Sequence, residues 1–147
     1  MGVAEETQEV TQVQEPVEKP VIYWGLGRRK TAVARVRLMR GTGKFMVNGV
    51  EAEDYFTDER QVQAVRGPLK ELKLSNRYDV LVNAKGGGMT GQSGAVLLGL
   101  ARALVKAEPD SEAKLRDFAM LTRDPRMKER KKYGKKSARA SFQFSKR

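Results

Sequence analysis

The chain contains no cysteine and no histidine among its 147 residues. Without thiols there are no disulfides, no thiolate metal sites and no cysteine nucleophile. Without imidazole, the ordinary zinc sites, the commonest general base and the Ser-His-Asp triad are excluded as well. Long apolar runs are also missing: no stretch approaches the roughly 18 residues of a membrane span. The first twenty residues are acidic and lack an apolar segment, unlike a secretory signal, and transit peptides are Arg-rich and acid-poor, the reverse of this start.

Positive charge, by contrast, is abundant. Lys and Arg number 29 against 18 Asp and Glu, a formal net charge of +11. Solubility is served by mixed charge without such an imbalance, and a polyanionic partner accounts for it better. The excess is unevenly spread. Residues 1–20 carry five acids and one base, whereas residues 123–147 carry eleven bases and two acids. The chain therefore reads as a disordered acidic extension (1–20), a globular domain (21–121) and an extended basic tail (122–147).

Tyr23 and Trp24 open the domain. Over 31–39, Ala32, Ala34, Val36 and Leu38 alternate with Val33, Arg35 and Arg37, which predicts a half-buried strand with a basic outer face. Arg40-Gly41-Thr42-Gly43 reads as a turn, after which 44–47 returns as that strand's hairpin partner until Asn48-Gly49 breaks it. Ala52, Tyr55 and Phe56 have helical spacing, and a second short helix runs from Asp58 past Val62 and Val65 until Gly67-Pro68 stops it. Tyr78, Val80, Val82 and Ala84 alternate as a third strand. Residues 93–106 form an apolar helix with Val96, Leu97, Leu100 and Leu104 as its core stripe. A last helix starts at Pro109, capped by Asp110 or Ser111, with Leu115, Phe118 and Ala119 turned inward. The expected class is α+β in two layers.

Three features bear on function. Gly86-Gly87-Gly88-Met89-Thr90-Gly91 matches G-x-G-x-x-G between a strand and a helix. A dinucleotide fold also needs a following strand that ends in an acid for the ribose; here Glu108-Pro109-Asp110 opens another helix, so no nucleotide cofactor is expected. The glycines then serve either a tight turn between helix and sheet, or an RNA phosphate met by backbone N–H groups beside Lys85. Arg28-Arg29-Lys30, continued by Arg35 and Arg37, makes a stripe of the kind that tracks a phosphate backbone rather than a merely solvated face. The tail carries Arg123, Arg126, Lys128, Arg130, Lys131, Lys132, Lys135, Lys136, Arg139, Lys146 and Arg147. Small residues between these charges allow an extended chain to approach RNA closely, and Tyr133, Phe142 and Phe144 are spaced to stack on unpaired bases. A tail that only solubilises has no use for those aromatics.

The carboxylates Glu51, Glu53, Asp54, Asp58 and Glu59 have no apolar pocket beside them and read as helix-start charges, not as an acid–base pair. The sequence thus describes an RNA-binding protein with no enzymatic activity, no cofactor, no metal, no membrane and no small-molecule substrate. Two other classes fit less well: a free-standing RNA chaperone, and a small phosphotransferase using the Gly-rich loop.

Taken in order, Gly27-Arg28-Arg29-Lys30-Thr31-Ala32-Val33-Ala34-Arg35-Val36, Val47-Asn48-Gly49, Tyr55-Phe56, Gly86-Gly87-Gly88 with Gly91-Gln92, Ala101-Arg102-Ala103-Leu104, Leu121-Thr122-Arg123-Asp124-Pro125-Arg126, Glu129-Arg130-Lys131-Lys132-Tyr133-Gly134 and the terminal Gln143-Phe144-Ser145-Lys146-Arg147 resemble the bacterial small-subunit (30S) ribosomal protein nine family over residues 23–147. The resemblance implies a two-layer α/β sandwich like the second domain of small-subunit ribosomal protein five, with a left-handed β-α-β crossover. It implies a structural place in the head of the small subunit of the cytoplasmic ribosome, among neighbouring head proteins, with a role in translation. Small-subunit (16S-type) rRNA would be bound by the 28–37 stripe, Lys85 and the tail as far as Arg139, Tyr133 included. The tip, Ser145, Lys146 and Arg147, would meet the anticodon stem-loop of peptidyl-site tRNA. Leu26, Lys135, Ser137, Ala140 and Phe142 depart from the residues the family often has at those positions.

Overall fold

A computed structural model describes residues 21–145 of the chain; the acidic extension over 1–20 and the last two residues lie outside it. Five strands form one sheet: β1 (Tyr23–Arg29), β2 (Ala32–Arg40), β3 (Phe45–Val47), β4 (Val50–Glu51) and β5 (Tyr78–Lys85). Their spatial order is β1-β2-β5-β3-β4, antiparallel throughout except for the parallel β3–β5 pair. Helices α1 (Ala52–Tyr55), α2 (Glu59–Glu71), α3 (Met89–Ala107) and α4 (Glu112–Asp117) complete the domain, with a 3-10 turn at Pro109–Ser111. The class is mixed α+β, as expected.

The alternating strands fold as their pattern dictates. Ala32, Ala34, Val36 and Leu38 of β2 and Tyr78, Val80, Val82 and Ala84 of β5 are buried, with Ala34, Val36 and Leu38 directly paired to Ala84, Val82 and Val80, so one face of the sheet is apolar. On it lie Val65 and Leu69 of α2, Val96, Leu100 and Leu104 of α3 and Leu115 of α4, all in the same core. The opposite face, carrying Arg28, Arg35 and Lys85, is exposed.

The structure differs from the sequence expectation in several places. First, 23–29 is a strand. Its inward positions are Gly25 and Gly27, which have no side chain to mark a period of two. Helix α3 explains why: a Cβ at Gly25 would lie 1.9 Å from the Gly99 carbonyl oxygen, and one at Gly27 would lie 1.8 Å from that of Ala95. Second, β3 does not pair with β2. Asp79 at the start of β5 accepts through Oδ1 the backbone N–H groups of Thr42, Gly43 and Lys44, at 2.8, 2.8 and 2.9 Å. The loop after β2 is thereby carried past β5, and β3 joins β5's far side. Asn48 and Gly49, at φ +51° and +88°, then turn the chain into β4 in the way an Asn-Gly pair favours.

Third, α2 does not stop at Gly67-Pro68 but continues to Glu71 with Pro68 buried inside it. Burial of Pro68 and Leu69 holds the last turn in place despite the lost N–H. The helix ends where Lys73 adopts φ +57° and Leu74 N–H donates to the Leu69 carbonyl, a Schellman arrangement with both leucines in the core. Fourth, α3 begins at Met89, four residues early, and Leu97 is only half-buried. Besides its large apolar stripe, α3 has a second, small one of Ala95, Gly99 and Ala103, against which β1 lies. At the end of α4, Phe118 is exposed and Ala119 takes φ +55° as the αL cap, so half-buried Met120 stands where those two were expected inward. Ser111 is at the N-cap position, but its hydroxyl donates back to the Glu108 carbonyl.

Candidate nucleic-acid interface

Register fixes which basic side chains share the open face. Arg28 pairs with Val33 and Val33 with Lys85; Leu26 pairs with Arg35 and Arg35 with Asn83; Trp24 pairs with Arg37 and Arg37 with Leu81. Each of these three rows across β1, β2 and β5 therefore carries at least one cation on the outer face. Of the sequence stripe, Arg28, Arg35 and Arg37 are brought together on this face, and Lys85 joins them from β5.

Arg29 is one residue out of phase with them and turns to the helix side. Its guanidinium donates to Asp124 Oδ2 at 3.1 Å and reaches the Thr90 carbonyl at 3.4 Å. It ties the root of the tail to the first turn of α3. Lys30 occupies the two-residue β1–β2 loop at φ +50° and is exposed.

Asp124 also accepts from the backbone N–H and guanidinium of Arg126. Those bonds from Arg126, helped by the charge of Arg29, hold its carboxyl well below the usual carboxylate range. From 122 to 145 the chain forms neither helix nor strand. Glu129 collects Lys132 and Arg139, and the hydrogen bonds from those two depress its pKa; Lys135 donates to the Ser141 hydroxyl at 2.7 Å. Among the described residues, Arg123, Lys128, Arg130, Lys131 and Lys136 face no carboxylate within ion-pair distance. Tyr133 is 100% exposed and Phe144 95%. Ser145 is the last described residue, and Lys146 and Arg147 lie outside.

The Gly-rich loop is built into the fold. Gly86 and Gly87 have φ +72° and +64°, and a Cβ on Gly87 would come within 3.0 Å of Ala32 at the β1–β2 hairpin. A polar chain braces it. Asn48 pairs its amide with the backbone of Ala84 and donates to the Tyr55 hydroxyl; Tyr55 donates to Gln92 Oε1 at 2.7 Å; Gln92 donates to the Gly86 carbonyl. The tight-turn reading of the glycines accounts for this geometry. The acidic cluster is likewise local: Asp58 caps α2 through the Arg60 N–H, and Glu53 pairs with Arg66 at 3.0 Å.

A family profile described as ribosomal protein S9/S16 matches residues 27–147. The chain belongs to that family. It is 54% identical over 137 residues to the small ribosomal subunit protein uS9 of Crocosphaera subtropica, covering 92% of this chain and 99% of that one. It is 56% identical over 127 residues to the protein of the same name from Picosynechococcus, covering 86% and 93%. That of Nostoc punctiforme is 53% identical over the same length. Membership makes the chain a structural protein of the small ribosomal subunit, hence of the bacterial cytoplasm, and not an enzyme. RNA binding is general to such proteins.

Sequence reading missed two basic residues beside the stripe. Arg102 donates to the Leu26 carbonyl at 2.8 Å and Lys106 to that of Trp24 at 2.7 Å. They cover the free edge of β1, which would otherwise present open carbonyls. Their spacing of four on α3 was the available signal, overshadowed by that helix's apolar stripe.

Proposed function

We propose that this chain stands in the head of the small subunit, docked on small-subunit rRNA by its outer sheet face and threaded into RNA by its tail. The parallel β3–β5 pair, joined through α1 and α2, is a β-α-β unit and supports the fold expected from the family resemblance, that of the second domain of small-subunit ribosomal protein five with a left-handed crossover. On this reading Arg28, Lys30, Arg35, Arg37 and Lys85 meet phosphates, and Arg29 acts by holding the tail's root. Arg123 to Arg139 neutralise RNA along the tail, releasing counterions as they order. Ser145, Lys146 and Arg147 touch the anticodon stem-loop of peptidyl-site tRNA, stabilising it without reading its sequence, as phosphate contacts do. The neighbouring head proteins complete the surroundings.

The observation carrying this reading is the tail: 24 residues without regular structure, studded with cations and fully exposed aromatics. No such segment is stable on its own account, and a polyanion with unpaired bases supplies what it lacks. The test compares the full chain with one ending at Thr122 for binding to small-subunit rRNA across a salt series. Truncation flattens the log–log salt dependence by several units, at about 0.7–0.9 for each phosphate that is no longer neutralised. An unaltered slope removes the tail from RNA. Deleting only the last three residues leaves subunit assembly intact and shortens tRNA residence in the peptidyl site; unchanged tRNA dissociation removes the tip from the tRNA.

A further inference from the structure

The tail is not the sole place where an aromatic side chain is left in solvent among cations. Trp24, the single tryptophan of the chain, is 53% exposed on the outer face of β1. It stands in the same cross-strand row as Arg37, whose guanidinium carbon lies 5.9 Å from the ring centroid. Leu26, also exposed, and Arg35 form the next row, and Lys106 closes the strand edge through the Trp24 carbonyl. Trp24, Gly25, Leu26, Arg35 and Lys106 line an open concavity of about 320 Å³, with Arg37 beside it.

Two facts specify its occupant. The first is charge. Across β1, β2 and β5 the one acid on the outer face is Asp79, and its Oδ1 is committed to three backbone N–H groups. Those bonds, that of Lys44 foremost, hold the Asp79 carboxyl below its ordinary range and keep it occupied with the loop. The cations of β1, β2 and β5 are therefore uncompensated within those strands; Glu51, the other acid on this face, stands on β4 at the far edge of the sheet. The second is rigidity. Gly25, beside Trp24, is pressed on Gly99 of α3, and the Trp24 carbonyl is held by Lys106. The indole thus projects from a fixed backbone, so that a flat partner meets it at little ordering cost.

We propose that Trp24 is a stacking platform for an unpaired base of RNA, with Arg35, Arg37 and Lys106 taking the flanking phosphates. The domain then does more than lie along a duplex: it captures a nucleotide displaced from a helix. Stacking of this kind tolerates any base, because every base has a π-face. The proposal rests on the RNA reading above and adds a site to it.

Trp24 is its own reporter. Full-length chain is titrated with the head-domain fragment of small-subunit rRNA while tryptophan emission is followed. Stacking quenches the emission at one-to-one stoichiometry. Trp24→Ala weakens affinity about tenfold, within the range for loss of one base–aromatic stack, and leaves the salt slope unchanged because no charge is removed. Trp24→Phe restores most of the affinity. Arg37→Gln instead lowers the slope by about 0.7–0.9, the share of a single phosphate. Thermal melts of each variant, expected to match the parent because the ring is mostly outside the core, show that folding is intact. Unquenched emission on a saturated complex overturns the platform, as does full affinity in Trp24→Ala. If the tail truncation still flattens the salt slope in that event, the RNA reading stands and only the platform falls. If truncation leaves the slope untouched as well, the RNA reading itself has failed.

Discussion

The folded domain and the tail solve opposite problems within one chain. In the domain the large apolar groups find each other: Phe56, Leu38, Leu100, Leu104 and Leu115 are fully buried. In the tail Met127, Tyr133, Phe142 and Phe144 find nothing and stay exposed. The acids differ in the same way. Asp79 and Asp58 satisfy backbone N–H groups that would otherwise be orphaned, whereas Glu129 merely gathers two neighbouring cations in solvent. The domain's sequence describes the domain; on the reading proposed above, the tail's sequence describes the surface it meets. If so, damage to the domain is read as lost stability, and damage to the tail as lost binding with stability untouched.

The sharpest break is where β1 meets α3. Gly27→Ala drives a methyl group into the Ala95 carbonyl, 1.8 Å from the ideal Cβ position, with backbone on both sides and nothing flexible to yield. We expect a loss of about 3 kcal/mol, in the upper range for overpacking, which lowers the melting temperature by roughly 15 °C in a domain of this size. Phe144→Ala, a far larger change in volume, shifts the melt by no more than about 0.5 kcal/mol. Circular dichroism melts of the two variants decide it. Comparable melting points would mean that the tail packs on the domain after all.

A smaller effect is expected at Asp79. Asp79→Ala strands the amides of Thr42, Gly43 and Lys44 and frees the loop that delivers β3 to β5. Because the loop is partly open to water, the cost is about 1–2 kcal/mol rather than a full buried-group penalty. There is a pH signature. The folded-state pKa of Asp79 lies below its unfolded value, so its contribution is present above the ordinary carboxylate range and is lost as pH falls through the folded value. Melts of the parent and Asp79→Ala should converge in strong acid; a difference that persists there would assign the effect to something other than the carboxylate.

How far the sequence told this story follows from what each residue faces. Strands β2 and β5 were legible because one side is apolar and the other polar. Strand β1 was not, since the inward residues that would have shown its period are the glycines that make room for α3. The partner of β3 was misjudged because hairpin logic is local, whereas Asp79 acts from more than thirty residues away. Pro68 misled because a proline's missing donor matters less once its ring is in the core. At the interface, the number and sign of the charges were plain from composition, yet their sides were not. Arg28 and Arg29 are neighbours in sequence and face opposite layers, and Arg102 and Lys106 were hidden in a helix read for its leucines.

The smallest expected effect falls where the two regions meet. The Arg29–Asp124 pair joins domain and tail at 3.1 Å, and each side chain is only about a quarter exposed, at 27% and 25%. Its work is directional. It sets where the tail leaves the domain, beside the β1–β2 hairpin and the start of α3, without contributing to the core. Arg29→Ala should therefore leave the melt nearly unchanged while backbone order parameters over 123–126 drop in nuclear magnetic resonance relaxation. In the parent, the same loss of order appears only in acid: Asp124 is held below its ordinary range, so the tether persists above that range and fails as pH falls through the lowered folded value. Order that survives Arg29→Ala would show that Asp124 needs only Arg126, and that the tail's starting direction is set within the tail itself.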